Sequence, residues 1–221
     1  MTSQFAQKII GIYERHAIQW DADRNGSVDQ LWHDRFIQLL PEGASVLDLG
    51  CGSSQPVARH LAERGLQITG VDASPTLISL CHKRLQTHEW IVSDMRTLAL
   101  GKRFDGILAW DSYFFLPHDD QRAMLGVFAA HAAPSAVLMF NAGPSHGEAI
   151  GDYRGEALYH ASLDAAEWWG QNDLLTIRWR AAGDLQCNVA ACETRRHSGR
   201  GAGLGARHQT HFSESVYYKT E

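Results

Sequence analysis

Residues 45–61 constrain the fold more than any other part of the chain, because they combine an apolar run, a glycine-rich turn and a helical pattern. The segment reads SVLDLGCGSSQPVARHL, and its apolar run passes through Asp48 into the turn Gly50-Cys51-Gly52. Apolar residues then recur at helical spacing at Val57, Ala58 and Leu61. Strand, tight turn and helix in this order predict the start of a doubly wound, mostly parallel α/β sheet.

The glycine turn predicts a site where a ligand meets the main chain. Gly50 and Gly52 permit backbone torsions that other residues avoid, and the following helix directs free N–H groups at the same place. A dinucleotide fingerprint needs a third glycine at the position of Gln55, which argues against an NAD-linked oxidoreductase. An acid at Asp48 would repel a pyrophosphate and could hold an ammonium group.

Two further predicted strands also end in an acid. Asp72 closes the second strand (66–72), and Asp94 follows the third strand (89–92). An acid at the distance of Asp72 from the turn reaches both hydroxyls of a ribose. The alternative role of Asp72, a helix N-cap, is weaker because Ser74 already begins the next helix well. Ligands bind at the carboxyl ends of such strands, so the three acids together predict one site.

The order VLDLGCG, GVDASP, VSDMRTL and FDGILAWDSYFF resembles class I S-adenosylmethionine (SAM)-dependent methyltransferases over about residues 10–170. This resemblance implies a seven-stranded sheet in the order 3-2-1-4-5-7-6 under an N-terminal helical cap. It also implies SAM as the cofactor and a small molecule as the methyl acceptor. One departure is Ser54, which stands where the family often has a glycine.

The resemblance also implies which residues bind the cofactor. In the cap, YERHAIQWDADR is similar to the segment that approaches the methionine carboxylate, although simple packing is the alternative for its aromatic residues. In that family, an acid beyond the third strand accepts a hydrogen bond from the adenine amino group and its neighbour lines the adenine ring, which implies these roles for Asp94 and Met95. The predicted cofactor-binding residues are Tyr13, Trp20, Arg24, Asp48, Gly50, Cys51, Gly52, Asp72, Ala73, Asp94, Met95 and Trp110.

Methyl transfer from a sulfonium is an in-line displacement, for which the protein must chiefly align and desolvate the reactants. A base is needed only when the acceptor carries a proton, and His118, His146 and His160 are candidates because histidine titrates nearest neutrality. The sequence does not choose among them, and a structural hydrogen bond is the alternative for each. Residues 141–160 are expected to form a loop that recognises the substrate.

Composition limits the other function classes. The formal net charge is −5, which is unfavourable for a general nucleic-acid binder. No apolar run approaches membrane-spanning length, and no signal peptide is visible. The four cysteines form no CxxC pair, which indicates reduced thiols in a cytoplasmic protein. Neither HExxH nor paired CxxC occurs, so we expect no metal, and a hydrolase GxSxG elbow is absent from the strand–helix turns.

The chain divides into a methyltransferase domain (1–180), whose first 40 residues form the cap, and an atypical tail (181–221). The cap is expected to contain helices over 3–20 and 28–40, and Val216–Tyr218 is a candidate final strand. Glycine and arginine are frequent in the tail, and we predict that 195–209 is mobile or poorly packed. Together with Ser54, this tail leaves a second hypothesis open, a non-catalytic SAM-binding module.

Overall fold

The computed structural model describes residues 2–24, 30–143, 145–164, 167, 176–179 and 187–193, the last two ranges as backbone only. Four helices precede the first strand, and three follow it within these ranges. The helices are α1 (Thr2–Ala6), α2 (Ile9–Arg15), α3 (Ala17–Asp23), α4 (Gln30–Gln38), α5 (Val57–Glu63), α6 (Pro75–Arg84) and α7 (His118–His131).

A parallel sheet forms the centre of the fold. Its strands lie in the order β3-β2-β1-β4-β5, and every neighbouring pair is parallel. Their bounds are β1 (Ser45–Leu49), β2 (Gln67–Asp72), β3 (Glu89–Val92), β4 (Phe104–Ala109) and β5 (Ala132–Asn141). The predicted α/β class is confirmed, and the carboxyl ends of these strands meet at one edge of the sheet.

Two antiparallel strands extend the sheet beyond β5 in the order β5-β9-β8. They are β8 (Thr176–Trp179) and β9 (Cys187–Glu193). β9 lies inside the atypical tail (181–221), where the sequence predicted no strand before residue 216. Its main chain pairs with β5, for example Val137 with Ala191, and such pairing does not depend on a side-chain pattern. The predicted strand 216–218 and the predicted mobile segment 195–209 lie outside the described residues.

The N-terminal cap differs from the prediction of one continuous helix over residues 3–20, because three short helices occupy this stretch. α2 and α3 meet at His16, which leaves helical geometry with φ −105° and ψ 12°. Its imidazole Nε2 lies 2.7 Å from Oε1 of Glu156, more than a hundred residues away. This long-range contact, which the local pattern could not indicate, lies where the helix breaks.

Residues 141–160 are not the loop that the sequence predicted, because most of them form an antiparallel hairpin. It consists of β6 (Gly147–Tyr153) and β7 (Glu156–Ser162). The two turn residues, Arg154 and Gly155, both have positive φ (54° and 82°), as in a type I′ hairpin turn. Arginine is unusual there, so the turn carried little sequence signal.

Apolar side chains pack on both faces of the parallel sheet. α7 covers one face through Met124 and Phe128, and the helices before and after β1 cover the other through Phe36 and Leu61. A third cluster joins the cap to the β6–β7 hairpin through Ile9, Ile12, Phe115, Leu158 and Tyr159. The cap is therefore held over the carboxyl edge of the sheet.

Candidate active site

An open cleft lies at the carboxyl edge of the parallel strands, beneath the cap, and its space, open solvent included, is about 790 Å³. Eight of the twelve predicted cofactor residues line it, namely Tyr13, Trp20, Gly50, Gly52, Asp72, Ala73, Asp94 and Met95. The fold therefore places around one space most of the residues that the sequence predicted to act together.

The turn after β1 needs glycine at two positions. Gly50 has φ 75° and Gly52 has φ 57°, both in the left-handed region. A Cβ on Gly50 would lie 2.3 Å from Cβ of Ser112, and one on Gly52 would lie 2.4 Å from the ring of Trp20. The turn is thus closed on one side by the loop after β4 and on the other by the cap.

Asp72 is fixed by backbone donors at the end of β2. Its carboxylate accepts hydrogen bonds from the N–H groups of Gly52 and Ser74, each at 2.9 Å. Burial raises the pKa of Asp72, and these backbone bonds oppose the rise. Ser74 is the N-cap of α6, since its Oγ accepts from the Leu77 N–H. Asp72 is therefore not the cap itself, and it lines the cleft.

Asp48 does not line the cleft, because its side chain is buried at the end of β1. Its Oδ2 has no hydrogen-bond partner within the part of the chain that the structure describes. Burial, and secondarily the charge of Asp72, raises the pKa of Asp48 to about 7. A buried carboxyl oxygen without a donor favours a neighbouring cation or a proton.

Asp94 and Met95 line the cleft at the end of β3. Asp94 accepts from the backbone N–H of Arg96 at 2.9 Å and from its guanidinium Nε at 3.0 Å. Burial would raise the pKa of Asp94, but the hydrogen bonds from Arg96 outweigh it and lower the pKa. Arg96 also pairs with Asp120. Asp94 is therefore an ionised acceptor in the wall of the cleft.

The cap contributes an aromatic wall. The Tyr13 ring lies 5.3 Å from Phe115 and 5.9 Å from Trp20, and all three residues line the cleft. Arg24 does not line the cleft but lies 4.7 Å over the Trp20 ring. Glu14 of α2 bonds to Ser74 and Thr76 at the start of α6, which anchors this wall to the sheet.

Two further predicted cofactor residues lie elsewhere. Cys51 is buried, and its thiol lies 3.8 Å from the Gly52 carbonyl oxygen. The Trp110 ring packs edge-on against His33 at 4.8 Å, in the core on the side of the sheet that α4 covers. Trp110 directly follows β4 and is packed in this core, so it does not line the cleft.

None of the three candidate histidines lines the cleft. His118 Nε2 lies 3.0 Å from the carbonyl oxygen of Gly147, and its ring stacks on His146 at 4.2 Å. His146 is bound to Glu167 at 2.6 Å. The His160 ring stacks on Phe114 at 5.5 Å and packs at a tilt against Phe115 at 5.1 Å, and burial lowers the pKa of His160. In these contacts the histidines join the hairpin to its neighbours.

Sequence reasoning missed Asp111 as a member of the site. It directly follows Trp110 at the end of β4, lines the cleft and has φ 52°, which is uncommon outside glycine. Its carboxylate accepts from Asn141 Nδ2 at 2.7 Å and from Arg24 at 2.9 Å. The rule that selected acids at the ends of three strands applies equally to the fourth strand, so the signal was present.

Within the described ranges, no group of three or more His, Cys, Asp or Glu side chains is arranged to hold a metal ion. In the same ranges, no helix is long and apolar enough to cross a membrane.

Comparison with known proteins relates the central part of the chain to one domain family. Residues 46–135 match the family model described as "Methyltransferase domain". The chain is 30% identical over 130 residues to a dTDP-4-amino-2,3,4,6-tetradeoxy-D-glucose N,N-dimethyltransferase from Saccharopolyspora spinosa, covering 58% of this chain and 50% of that protein. It is 35% identical over 103 residues to a demethylmenaquinone methyltransferase from Thermotoga maritima, covering 44% of each. The chain spans about half the length of the curated relatives it matches.

Solved structures resemble the fold more completely. A Burkholderia thailandensis 1,6-didemethyltoxoflavin-N1-methyltransferase with bound S-adenosylhomocysteine has a TM-score of 0.68 at 16% identity, covering 88% of this chain and 91% of that one. The SAM-bound amino pentose methyltransferase CalS10 from Micromonospora echinaspora has a TM-score of 0.63 at 17% identity, covering 79% and 96%. At these identities the likeness establishes the fold alone.

Proposed function

We propose that this chain, which carries a domain of the class I SAM-dependent methyltransferase family, transfers a methyl group from SAM to a small-molecule acceptor. The observation that carries the proposal is the cleft in which the glycine turn, Asp72 and Asp94 come together at the ends of β1, β2 and β3. The fold and the family relationship support it. So does the similarity to two relatives, which are methyltransferases of an amino sugar and of demethylmenaquinone.

The residues fit a ligand with the charges of SAM. Added Cβ atoms on Gly50 and Gly52 would collide with Ser112 and Trp20, so glycine at both positions lets the turn fit between the loop after β4 and the cap while it lines the cleft. The buried Asp48 oxygen has no donor among the described residues and suits a nearby positive charge. Carboxylates at Asp72 and Asp94 suit ribose hydroxyls and an amino group respectively.

We assign the binding roles accordingly. Asp72 would hold the ribose diol, with Ala73 beside it, and Asp94 with Met95 would hold the adenine. The cap residues Tyr13, Trp20 and Arg24 would enclose the methionine end over Gly50 and Gly52. Asp48 and Cys51 are buried and would act from beneath the lining of the cleft. Trp110 packs against His33, and we assign this tryptophan a structural role. When bound, SAM supplies a methyl group that its sulfonium has already activated.

What the chain itself contributes is alignment and exclusion of water. The aromatic wall of the cap and the buried turn limit access of solvent to the cleft. Holding two reactants in the correct orientation can lower the activation barrier by roughly 7–11 kcal/mol. A general base from His118, His146 or His160 would require movement of the hairpin, since none of them lines the cleft. We therefore assign these histidines a structural role at the hairpin.

The remaining expectations are also proposals. We place the domain at 1–180 and the protein in the cytoplasm, for which the free, buried thiols of Cys51 and Cys81 are the support. The net charge of −5 supports the absence of a nucleic-acid partner, and we propose no membrane partner.

Calorimetric titration with SAM and S-adenosylhomocysteine, combined with a turnover assay for released S-adenosylhomocysteine, tests the proposal. We expect micromolar binding that Asp72→Asn weakens and that Asp119→Asn, at a side chain 97% exposed, leaves unchanged. Tight binding without turnover on any acceptor would favour the SAM-binding module instead. No binding of either compound would refute the proposal.

A further inference from the structure

We propose that Asp111 binds the methyl acceptor, and that the acceptor is a small molecule carrying an amine. This inference rests on the proposed function and specifies its substrate class. Three independent features of the cleft support it: the way the Asp111 carboxylate is held, the aromatic faces around it, and the balance of charge along the walls.

The Asp111 carboxylate is held from below and remains open to the cleft. Asn141, at the end of β5, accepts from the Asp111 N–H at 2.8 Å and donates back to Oδ1 at 2.7 Å. Arg24 donates to Oδ2 at 2.9 Å, yet 36% of the Asp111 side chain is exposed. A carboxylate has about four acceptor positions, so this arrangement orients the group and leaves capacity for a ligand donor.

Aromatic faces border the same space. Tyr13, Trp20 and Phe115 line the cleft together with Asp111, and the Tyr13 ring centre lies 5.9 Å from that of Trp20 and 5.3 Å from that of Phe115. Burial raises the pKa of Tyr13, which keeps its ring neutral. The faces of such rings attract ammonium groups. Tyr13 and Trp20 serve the methionine end of SAM in the assignment above, so Phe115 is the ring that we assign to the acceptor, and the Asp111 carboxylate adds a charged hydrogen bond.

The charge of the walls favours a basic acceptor over an acidic one. Asp72, Asp94 and Asp111 line the cleft, whereas Arg96 is the one basic side chain among its described lining residues. Arg96 is engaged by Asp94 and Asp120. Arg24 likewise pairs with Asp111 from outside the lining. The described lining therefore offers an acceptor carboxylate or phosphate only a cation that is already paired, whereas an amine meets the exposed part of the Asp111 carboxylate.

The reaction at this position balances. An amine that arrives protonated first loses one proton to water. Its nitrogen lone pair then forms the new C–N bond as the bond between methyl carbon and sulfur breaks, with the electron pair going to sulfur. Positive charge moves from sulfur to nitrogen, and the methylated ammonium afterwards releases its proton to water. The Asp111 carboxylate lies where it can stabilise the charge that develops on nitrogen.

The experiment measures binding of amine probes to the full chain loaded with S-adenosylhomocysteine. The probes are benzylamine, histamine and glucosamine, with catechol, salicylate and malonate as acceptors of other chemistry. We expect at least one amine to bind and, with SAM, to be methylated. Asp111→Asn should weaken that amine by about 10- to 100-fold, the scale of a charge-assisted hydrogen bond, and change S-adenosylhomocysteine affinity by less than about threefold.

Asp111→Asn is expected to fold, because asparagine tolerates positive φ and keeps the hydrogen bond from the backbone N–H of residue 111 to Asn141 Oδ1. Circular dichroism checks this, and Asp119→Asn provides the matched loss of one negative charge at an exposed site. Equal amine affinity in Asp111→Asn and wild type would overturn the inference. Binding of S-adenosylhomocysteine without any amine, or with salicylate or malonate preferred, would overturn it while leaving the cofactor assignment intact. Failure of S-adenosylhomocysteine itself to bind would refute the proposed function and this inference with it.

Discussion

Replacing Ser54 with glycine should stabilise the protein, because the structure holds this serine in an unfavourable backbone and side-chain environment. Ser54 has φ 69°, is completely buried, and its Oγ has no hydrogen-bond partner among the described residues. Its backbone N–H donates to the Cys51 carbonyl oxygen, and its own carbonyl oxygen accepts from the Arg59 N–H. Glycine preserves both backbone bonds, so the substitution changes only the strain and the side chain.

The expected gain follows from four contributions. Removing the left-handed strain of an L-residue returns about 1–2 kcal/mol. Removing a buried unpaired hydroxyl returns about 1–3 kcal/mol. Against these, glycine costs about 0.5–1 kcal/mol in backbone entropy. The lost methylene costs about 0.8 kcal/mol of burial. At the middle of each range, the net effect is a rise of about 2 kcal/mol in the free energy of unfolding, or several degrees in Tm for a chain of this size.

Urea titration followed by circular dichroism measures this change, with an unchanged slope showing that only stability has moved. Ser53→Gly is the matched control, since Ser53 is equally buried but does not have positive φ. The Ser53 Oγ likewise has no hydrogen-bond partner among the described residues, so the gain from removing it roughly offsets the entropy and burial costs of glycine there. The free energy of unfolding of Ser53→Gly should therefore change by less than about 1 kcal/mol, and Ser54→Gly should exceed it by the strain of about 1–2 kcal/mol. Equal changes in the two variants would refute the strain argument. SAM affinity should be retained or slightly increased in Ser54→Gly.

Three further predictions concern the same edge of the sheet. Asp72→Ala should lose about 1.5–3 kcal/mol of SAM affinity by calorimetry, and unchanged affinity in a folded variant would contradict the ribose assignment. Gly50→Ala should abolish SAM binding and lower the urea midpoint, because the new Cβ would lie 2.3 Å from Cβ of Ser112. Gly43→Ala is the control that isolates the torsional cost, because Gly43 has φ 69° and a Cβ there would have no atom within 4 Å. Asp48→Asn should raise the free energy of unfolding at pH 8 relative to wild type. In the wild type, the folded-state pKa of Asp48, about 7, exceeds the unfolded value. The stability that the carboxyl contributes is therefore complete below the unfolded pKa and is lost as pH rises through about 7. Urea midpoints of the variant and the wild type at pH 5 and pH 8 check this. Each unit by which folding raises the pKa of Asp48 costs the wild type about 1.4 kcal/mol at high pH, so an equal effect of the substitution at both pH values would contradict the prediction.

The sequence by itself determined the features that depend on neighbouring residues. Strand β1, the Gly50–Gly52 turn and the acid that closes β2 follow from torsional preference and periodicity within a few residues. Because parallel strands carry their carboxyl ends to the same edge, the chain order alone was enough to place three separate acids at that edge, of which Asp72 and Asp94 line the cleft. The same local rules located β2 and β3 to within one residue.

The tertiary structure alone decided which side chains actually share the cleft. Asp111 joins Arg24 and Asn141, residues that lie 87 and 30 positions away in the chain. Nothing in the local pattern distinguishes a histidine that faces a cavity from one that, like His118, bonds to a hairpin carbonyl oxygen. The break of the cap at His16 likewise coincides with a distant partner. Local torsions and periodicity set the elements and the edge where they end, whereas long-range packing decides which way each side chain faces and which partner it meets.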